Sequence, residues 1–271
     1  MEKISKAQVK FVRSLQLKKV RDAEGLFVAE GEKCVEELRR GFELVSLYRE
    51  GENATRTEIE QMSSLKTPQG VIGVFKKSVS PKDGLSNGRS VSLKDGLVLV
   101  LDGIQDPGNL GTIIRTCDWF GVHEIVCSKD TADCYNPKVV QATMGALARV
   151  NLRYLDLVEW LSPLRLPHKG GEQMRIYGTL LDGKNMYEVL SGEAGLSASK
   201  ASGLCSVSEQ SERSVIIMGN EGNGISAEVR KFITDPIYIP TYPNKETSDV
   251  VESLNVSIAT AIVLAEFRRP R

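Results

Sequence analysis

The feature that most constrains the fold is an alternation of apolar strands and helical segments that begins at residue 97. Leu97–Leu101 is a continuous apolar run, and Arg175–Leu181 and Val215–Met218 are predicted to be further buried strands. Continuous apolar runs are typical of strands that are buried on both faces. Between them lie helical patterns such as Asn109–Phe120, which Gly121 closes. The alternation predicts an α/β fold with a mainly parallel sheet.

The rest of the C-terminal part fits the same pattern. Glu124–Ser128 is a predicted strand, and Asn136 is predicted to cap a helix whose first position is Pro137. A short strand, Ile237–Pro240, leads through a polar loop to a predicted helix, Ser253–Arg269.

A smaller α/β unit precedes this part of the chain. It contains a strand at Leu26–Ala29, a helix at Glu32–Arg40 and strands at Leu44–Tyr48 and Gly70–Phe75. A stretch rich in Ser, Gly and Asp follows, without periodicity, as is typical of a linker. We therefore predict an N-terminal domain at residues 1–80, a linker at 81–96 and a second domain at 97–271.

The clearest local positive charge lies in the first 21 residues. The chain as a whole carries 35 Lys and Arg against 35 Asp and Glu, so any attraction for nucleic acid must be local. On a helical wheel, one face is apolar and cations cluster away from it. The apolar residues are Ile4, Ala7, Phe11 and Leu15, and the cations are Lys3, Lys6, Lys10 and Arg13. Two interpretations stay open: a solvated helix face, or an arm that contacts RNA phosphates.

Several classes of protein are excluded by what the sequence contains. The five cysteines fit no zinc spacing, so we expect reduced packing residues and no metal site. The apolar run Ile258–Leu264 is too short to cross a bilayer, and the N-terminus does not resemble a signal peptide, so we expect a cytoplasmic protein. Gly178–Lys184 resembles a phosphate-binding loop, but Asn185 follows where that loop needs a hydroxyl for Mg²⁺.

Three loops that follow predicted strands are rich in Gly, Asn, Asp and Glu. Their sequences are LDGIQDPGNLGTIIRTCDWFG, IIMGNEGNGIS and IPTYPNKETSDVVESLNVS. Ligands of open α/β sheets bind outside the carboxyl ends of the strands, where such loops gather. Glycine allows the backbone to approach a ligand closely. The loops therefore predict a ligand site at one edge of the sheet.

Taken in order, these loops resemble the three motifs of the SpoU/TrmH branch of the SPOUT methyltransferases. The resemblance is dense over residues 97–271, and residues 24–80 more loosely resemble the substrate-binding domain that precedes it in this family. It implies an enzyme that moves a methyl group from S-adenosylmethionine to a ribose 2′-hydroxyl of RNA, with ribosomal RNA favoured over transfer RNA. It also implies a deep trefoil knot and a homodimer with the active site at the subunit interface. The alternatives are a SPOUT enzyme that methylates a base and an RNA-binding relative without catalysis.

The resemblance also carries residue roles over by position. It implies that the methyl donor is held by Gly219, Ile239 and Leu254, with Thr179 as a further wall. It implies that the catalytic set is Asn109, Arg115, Glu221, Ser253 and Asn255. Structural alternatives stay open for some of these, since Asn109 or Ser253 could cap a helix. For Arg115, a charge between Ile114 and Cys117 in a predicted helix indicates a partner or a function.

The chemistry requires that the hydroxyl oxygen be aligned with the methyl carbon and that its proton be removed. The two histidines, His123 and His168, lie outside the three motifs. The family's usual proposal is an arginine base, which requires lowering a guanidinium pKa from its ordinary strongly basic value to near neutrality, at a cost of about 8 kcal/mol. We therefore expect Arg115 to steer a phosphate and stabilise the developing alkoxide. Glu221, Ser253 and water are expected to share the proton.

Overall fold

The computed structural model describes residues 4–77, 96–165, 174–191, 214–242 and 253–269. The helices in these ranges are α1 Lys6–Ser14, α2 Lys18–Glu24, α3 Glu32–Leu38, α4 Arg56–Met62, α5 Pro107–Trp119, α6 Pro137–Thr143, α7 Leu157–Leu161, α8 Met186–Leu190, α9 Ala227–Arg230 and α10 Val256–Phe267. The strands are β1 Leu26–Glu30, β2 Leu44–Arg49, β3 Val71–Lys76, β4 Leu97–Asp102, β5 Glu124–Cys127, β6 Asn151–Tyr154, β7 Arg175–Asn185, β8 Ser214–Gly219 and β9 Asp235–Tyr238.

The described residues form two compact units, and neither is continuous in sequence. The first contains those within 1–88, together with Asp106–Asp118 and Ala132–Asn151. The second contains those within 89–105, 119–131 and 152–271. Helix α6, and α5 as far as Asp118, therefore belong to the same unit as the N-terminal residues. The predicted linker falls almost wholly outside the described residues, so the division into domains stays a prediction.

The N-terminal part of the first unit is built on a three-stranded antiparallel sheet in the order β1-β3-β2. Helix α1 contacts α4, and their apolar residues share a core with β1 and β3. The helix begins with a capping box, in which Ser5 and Gln8 satisfy each other's backbone amides.

Helix α1 buries only part of the face that the sequence predicts. Leu15 is buried and Ile4 packs against the same core, as predicted, but Ala7 is exposed and Phe11 is 38% exposed, whereas Val9 and Val12 are buried. The helix has two overlapping apolar faces, so the pattern alone could not choose between them. Packing against α4 selects the face that carries Val9 and Val12.

The second unit is built on a six-stranded sheet within the described residues, in the order β6-β5-β4-β8-β7-β9. The β4–β5, β4–β8, β7–β8 and β7–β9 pairs are all parallel. β4 is apolar up to Asp102 and β8 is apolar after Ser214, and side chains such as Val98, Val215 and Ile217 are fully buried. The predicted mainly parallel α/β fold is confirmed. Its carboxyl edge collects the ends of β4, β8 and β9.

The segment that resembles a phosphate-binding loop is part of β7. Gly178 pairs with Ile217 of β8, and a Cβ atom on it would lie 2.2 Å from Ile233 Cδ1. Gly183 packs equally closely against the backbone of Ile237. These glycines serve strand packing rather than a turn that holds phosphate.

Among the described residues, no helix combines the length and the apolar character that crossing a bilayer requires.

Candidate functional site

The end of β4 is tied to the loops beside it by a buried carboxylate. Asp102 is 9% exposed, and its Oδ2 accepts a hydrogen bond of 2.7 Å from the backbone amide of Ser226. Gly103 follows at φ +73°, a conformation that glycine adopts readily, and its amide donates to Ser128 Oγ at 2.8 Å. The first-motif loop therefore leaves the sheet in a fixed direction.

Asn220 organises the loop after β8. Its Nδ2 donates to the carbonyl oxygen of Gly103 at 2.7 Å. Its Oδ1 accepts from the backbone amides of Gly222 at 2.9 Å and Asn223 at 3.0 Å. Its backbone also exchanges two hydrogen bonds of 2.9 Å with Gly224. One side chain thus closes the second-motif turn and fastens it to the first-motif loop.

Sequence reasoning missed Asp102 and Asn220 as functional residues of this edge. The available signals were an acid at the end of an apolar strand and an Asx residue opening a Gly-rich turn. Neither signal states which loop the side chain reaches, since Asn220 and Gly103 are 117 positions apart.

Gly219, a predicted donor-binding residue, lies at the end of β8 opposite Asp102. A Cβ atom there would lie 2.3 Å from the carbonyl carbon of Gly224 and 2.4 Å from the amide of Ile225. Both contacts are to backbone, which no side-chain rotation relieves. The turn therefore closes tightly only over a glycine.

Two further predicted donor-binding residues lie at the same edge. Thr179 of β7 pairs with Ile237 of β9 and follows Gly178, which pairs with Ile217 of β8. Its hydroxyl donates to the Ile217 carbonyl at 3.3 Å. Ile239 directly follows β9 and is half-buried. The structure thus places Gly219 and Ile239 at the carboxyl ends of β8 and β9, and Thr179 within β7, just past the last β7 residue that pairs with β8.

The predicted third-motif residues lie just before α10. Asn255 caps this helix, since its Oδ1 accepts from the backbone amide of Ser257 at 2.9 Å and from its hydroxyl at 2.6 Å. The helix begins at Val256, so Ser253 is not its cap, and Ser253 is exposed. Leu254 is 50% exposed. Of the loop at 241–252, only the first two residues lie within the described ranges.

Glu221 is exposed in the turn that Asn220 closes. The backbone on both sides of it is fixed by the Asn220 hydrogen bonds, so Glu221 belongs to an ordered turn.

Asn109 and Arg115 lie on α5, in the first compact unit. Helix α5 begins at Pro107, and Asp106 Oδ1 accepts a hydrogen bond of 2.8 Å from the backbone amide of Asn109. Asp106 therefore makes the capping bond, and Asn109 is at the third helical position with a half-buried side chain.

Arg115 is exposed, although its neighbours Ile113, Ile114 and Cys117 are fully buried. Successive helical residues are rotated by about 100°, so a charge can follow two buried residues and still face solvent. The expectation that burial demands a partner for Arg115 does not hold. Arg115 forms no ion pair with another described residue, which leaves its guanidinium open to a ligand.

The buried thiols near these elements are protonated packing groups. Burial raises the pKa of the Cys117 thiol on α5, and burial also raises the pKa of Cys34 to about 11. A raised pKa disfavours the thiolate, which is the reactive and metal-binding form. Within the described residues, no three His, Cys, Asp or Glu side chains are grouped so as to hold a metal.

A parallel sheet whose carboxyl edge carries the glycine-containing loops after β4 and β8, linked through Asn220, defines a class. Residues 96–265 match the SpoU rRNA methylase family, and residues 6–57 match the MRM3-like substrate binding domain. The chain belongs to the SpoU rRNA methylase family.

Known relatives match over three quarters or more of this chain. The 23S rRNA (guanosine(2553)-2'-O)-methyltransferase RlmP of Bacillus subtilis is 27% identical over 99% of this chain and 98% of its own. The 23S rRNA (guanosine-2'-O-)-methyltransferase RlmB of Neisseria meningitidis is 32% identical over 75% of this chain and 70% of its own.

Two solved structures share the fold. One, from Porphyromonas gingivalis and described as an RNA methyltransferase of the TrmH family, is 35% identical with a TM-score of 0.75 and covers 99% of each chain. The AdoMet-bound rRNA methyltransferase of Sinorhizobium meliloti is 27% identical with a TM-score of 0.73 and covers 99% of this chain and 97% of its own.

Proposed function

We propose that this protein transfers a methyl group from S-adenosylmethionine to a ribose 2′-hydroxyl of ribosomal RNA. The observation that carries the proposal is the SpoU rRNA methylase match over residues 96–265, in which the loops of the first two motifs are joined at the sheet edge by the hydrogen bond from Asn220 to Gly103. The two 23S rRNA 2'-O-methyltransferases that match the chain support the same substrate and the same position of methylation.

The residues at the sheet edge fit an adenosine-type donor. Strand ends supply backbone polar groups at Gly219 and Ile239, and Thr179 adds a half-buried hydroxyl. Leu254 adds an apolar side chain that is 50% exposed and can cover a flat ring. When bound, S-adenosylmethionine supplies a methyl group on a positively charged sulfur. The residues here would hold it by shape and backbone hydrogen bonds.

Arg115 and Asn109 are proposed to act on the RNA. The exposed guanidinium of Arg115 can bind a phosphate through two parallel hydrogen bonds and stabilise the charge that develops on the attacking oxygen. We assign Asn109 to the orientation of the ribose, because its amide offers both a donor and an acceptor.

Glu221 and Ser253 are proposed to take part in removal of the hydroxyl proton. The oxygen–methyl bond forms as the methyl–sulfur bond breaks, and the proton leaves through a carboxylate, a hydroxyl or water. Glu221 is exposed in an ordered turn, as a proton acceptor that exchanges with water should be. Asn255 would fix the start of α10 and hence the backbone at Leu254 and Ser253.

We propose that RNA is first held by the N-terminal residues. Lys6, Lys10 and Arg13 are exposed on α1, and none of them pairs with an acid among the described residues. Clustered cations of this kind displace counterions from phosphates. The match of residues 6–57 to a substrate binding domain supports the assignment.

We propose that the protein is a cytoplasmic homodimer whose C-terminal segment forms a deep trefoil knot. Helix α10 is apolar on nearly all sides, and Ile258 remains 53% exposed while Val263 and Leu264 are fully buried. Such a helix gains from a second surface, which a partner subunit would supply. An Ile258→Glu variant should sediment as a monomer at micromolar concentration, whereas the wild type should sediment as a dimer. A monomeric wild type would contradict the dimer.

The test of the function is methyl transfer to RNA from cells that lack the gene. Purified protein and tritiated S-adenosylmethionine should label 23S rRNA, and mass spectrometry should find the methyl group on a ribose. Transfer RNA from the same cells is the matched substrate control and should remain unlabelled. Label on a base, or none on rRNA while transfer RNA is labelled, would contradict the proposal.

A further inference from the structure

Arg149 joins two carboxylates of the first compact unit. Its Nε and Nη2 donate to Asp118 at 2.9 Å and 2.7 Å, and its Nη1 donates to Glu37 Oε2 at 2.6 Å. The hydrogen bonds to Asp118 are the main reason that the pKa of the Arg149 guanidinium is raised. The planar fork of a guanidinium fixes both carboxylates in angle as well as distance.

The two carboxylates belong to elements with different proposed tasks. Asp118 lies on α5, three residues after Arg115. Glu37 lies on α3, within the N-terminal residues that match a substrate binding domain. One cation therefore holds the helix that carries Arg115 against the part of the unit that is proposed to hold RNA.

The surroundings of Glu37 leave little freedom. A Cβ atom on Gly145 would lie 2.3 Å from Glu37 Cβ, and one on Gly41 would lie 2.6 Å from the carbonyl oxygen of Ala148. Residues 145–149 thus pack directly on the end of α3. Arg149 extends this close contact to α5.

A second cation ties the same unit together. Arg21 is 2% exposed, and its Nη2 donates to Asp133 Oδ2 at 2.6 Å, while its Nη1 donates to the carbonyl of Gln16 at 2.7 Å. The segment that leads into α6 is therefore also fixed to the N-terminal helices. Two separate cations thus hold this unit as one body.

We propose that Arg149 is a positioning residue for methyl transfer, which sets Arg115 and Asn109 in register with RNA bound by the N-terminal residues. The inference rests on the proposed function. Arg149 is 40% exposed and its partners Asp118 and Glu37 are 19% and 22% exposed, so solvent partly screens these charges and the network contributes only modestly to stability. The role of Arg149 is to position the reacting groups, since a misplacement of about 1 Å can slow a reaction about a hundredfold.

The test compares Arg149→Met with Arg149→Lys and with Arg175→Met. Arg175 pairs with Asp235 at the amino ends of β7 and β9, and their exposures of 38% and 22% match those of the Arg149 pairs, so this variant removes a comparable ion pair away from the residues proposed to bind RNA. We expect Arg149→Met to lower kcat on rRNA by about tenfold to a hundredfold. Its KM for rRNA, its Kd for S-adenosylmethionine and its melting temperature should stay close to the wild-type values.

The conservative variant separates charge from geometry. A lysine keeps the charge but has no planar fork, so Arg149→Lys should recover only part of kcat. Arg175→Met should match the wild type in kcat, in KM for rRNA and in Kd for S-adenosylmethionine. The positioning role is overturned if Arg149→Met turns over rRNA at the wild-type rate. It is also overturned if the fall in kcat is matched by a fall in melting temperature, since destabilisation would then explain it. A wild type that does not methylate rRNA would instead overturn the proposed function.

Discussion

Asn220 Nδ2 lies 2.7 Å from the carbonyl oxygen of Gly103 and so links the loop after β8 to the loop after β4. The amide oxygen of the same side chain closes the turn that carries Glu221. The two halves of one amide therefore hold two motifs that are far apart in sequence. The shape of the candidate site at this edge depends on a residue that makes no proposed contact with the reacting atoms.

Asn220→Ala should loosen this link. The variant loses three side-chain hydrogen bonds, each with a net contribution of about 1 kcal/mol, so the free energy of unfolding should fall by about 2–3 kcal/mol. Donor affinity should fall as well, because Gly219 directly precedes the turn. Urea unfolding and calorimetric titration with S-adenosylmethionine measure both effects.

The matched comparison is Asn220→Asp. This variant keeps the oxygen that accepts from Gly222 and Asn223 but replaces the amide NH₂ group with an oxygen that faces the Gly103 carbonyl. It should bind S-adenosylmethionine as weakly as the alanine variant. Binding of S-adenosylmethionine at wild-type affinity would show that the link to Gly103 is not needed.

Gly219→Ala should abolish donor binding, whereas Gly222→Ala should not. The added methyl at position 219 would lie 2.3 Å from Gly224 backbone, while at position 222 the nearest described atom would be Asn220 Oδ1 at 3.6 Å, an ordinary contact. Both glycines belong to the same loop and both changes add one methyl group. Equilibrium dialysis with labelled S-adenosylmethionine would compare them, and equal affinities would contradict the steric argument.

Arg115→Ala should abolish methyl transfer and leave the donor Kd unchanged. The guanidinium is exposed, so its removal creates no cavity and should shift the melting temperature little. A loss of stabilisation of about 3–4 kcal/mol is typical when a charge-stabilising donor is removed from a reaction site. A tritiated-methyl assay measures turnover, and a turnover rate equal to that of the wild type would remove Arg115 from the mechanism.

Replacing Lys6, Lys10 and Arg13 with Gln should weaken RNA binding and flatten its salt dependence. When the logarithm of the binding constant is plotted against the logarithm of the salt concentration, each lost phosphate contact makes the slope shallower by about 0.7 for a single strand. The buried residues Val9 and Val12 are untouched, so folding should persist. Lysine-to-arginine and arginine-to-lysine exchanges at these three positions keep the charge and provide the control. Unchanged affinity and slope in the glutamine variant would mean that α1 is only a solvated helix.

The stability of the protein should fall as the pH rises above about 9, in part because of Cys34. Burial raises the pKa of this thiol from 9.0 to about 11, so between these values the folded state binds more protons than the unfolded state. By linkage, the free energy of unfolding then decreases with rising pH, by about 1 kcal/mol per pH unit for one group. The contribution is fully present below pH 9.

Urea unfolding of the wild type and of Cys34→Ala at pH 8 and pH 10.5 would measure this contribution. The variant should be less stable at pH 8 but should lose less stability on going to the higher pH. Parallel losses in the two proteins would show that Cys34 does not contribute to the pH dependence.

The sequence alone determined the class of fold and the family. Apolar runs such as Leu97–Leu101 predict buried parallel strands because they leave no polar face for solvent, and the sheet confirms this. The three motifs identify the family because a ligand site needs glycine, amide and acid residues at fixed places along the chain, and the match to the SpoU rRNA methylase family confirms it. The assignments of individual site residues stay predictions.

The tertiary structure alone decided which residues meet. α1 buries Val9 rather than Ala7, Arg115 faces solvent, and Asn220 reaches Gly103 across 117 positions. Periodicity along a chain specifies which residues share a face, since that depends on local backbone geometry. The neighbour that a face contacts depends on strand order and on loop direction. These are set by the packing of the whole chain, so no local pattern could have placed the Gly103 carbonyl opposite the Asn220 amide.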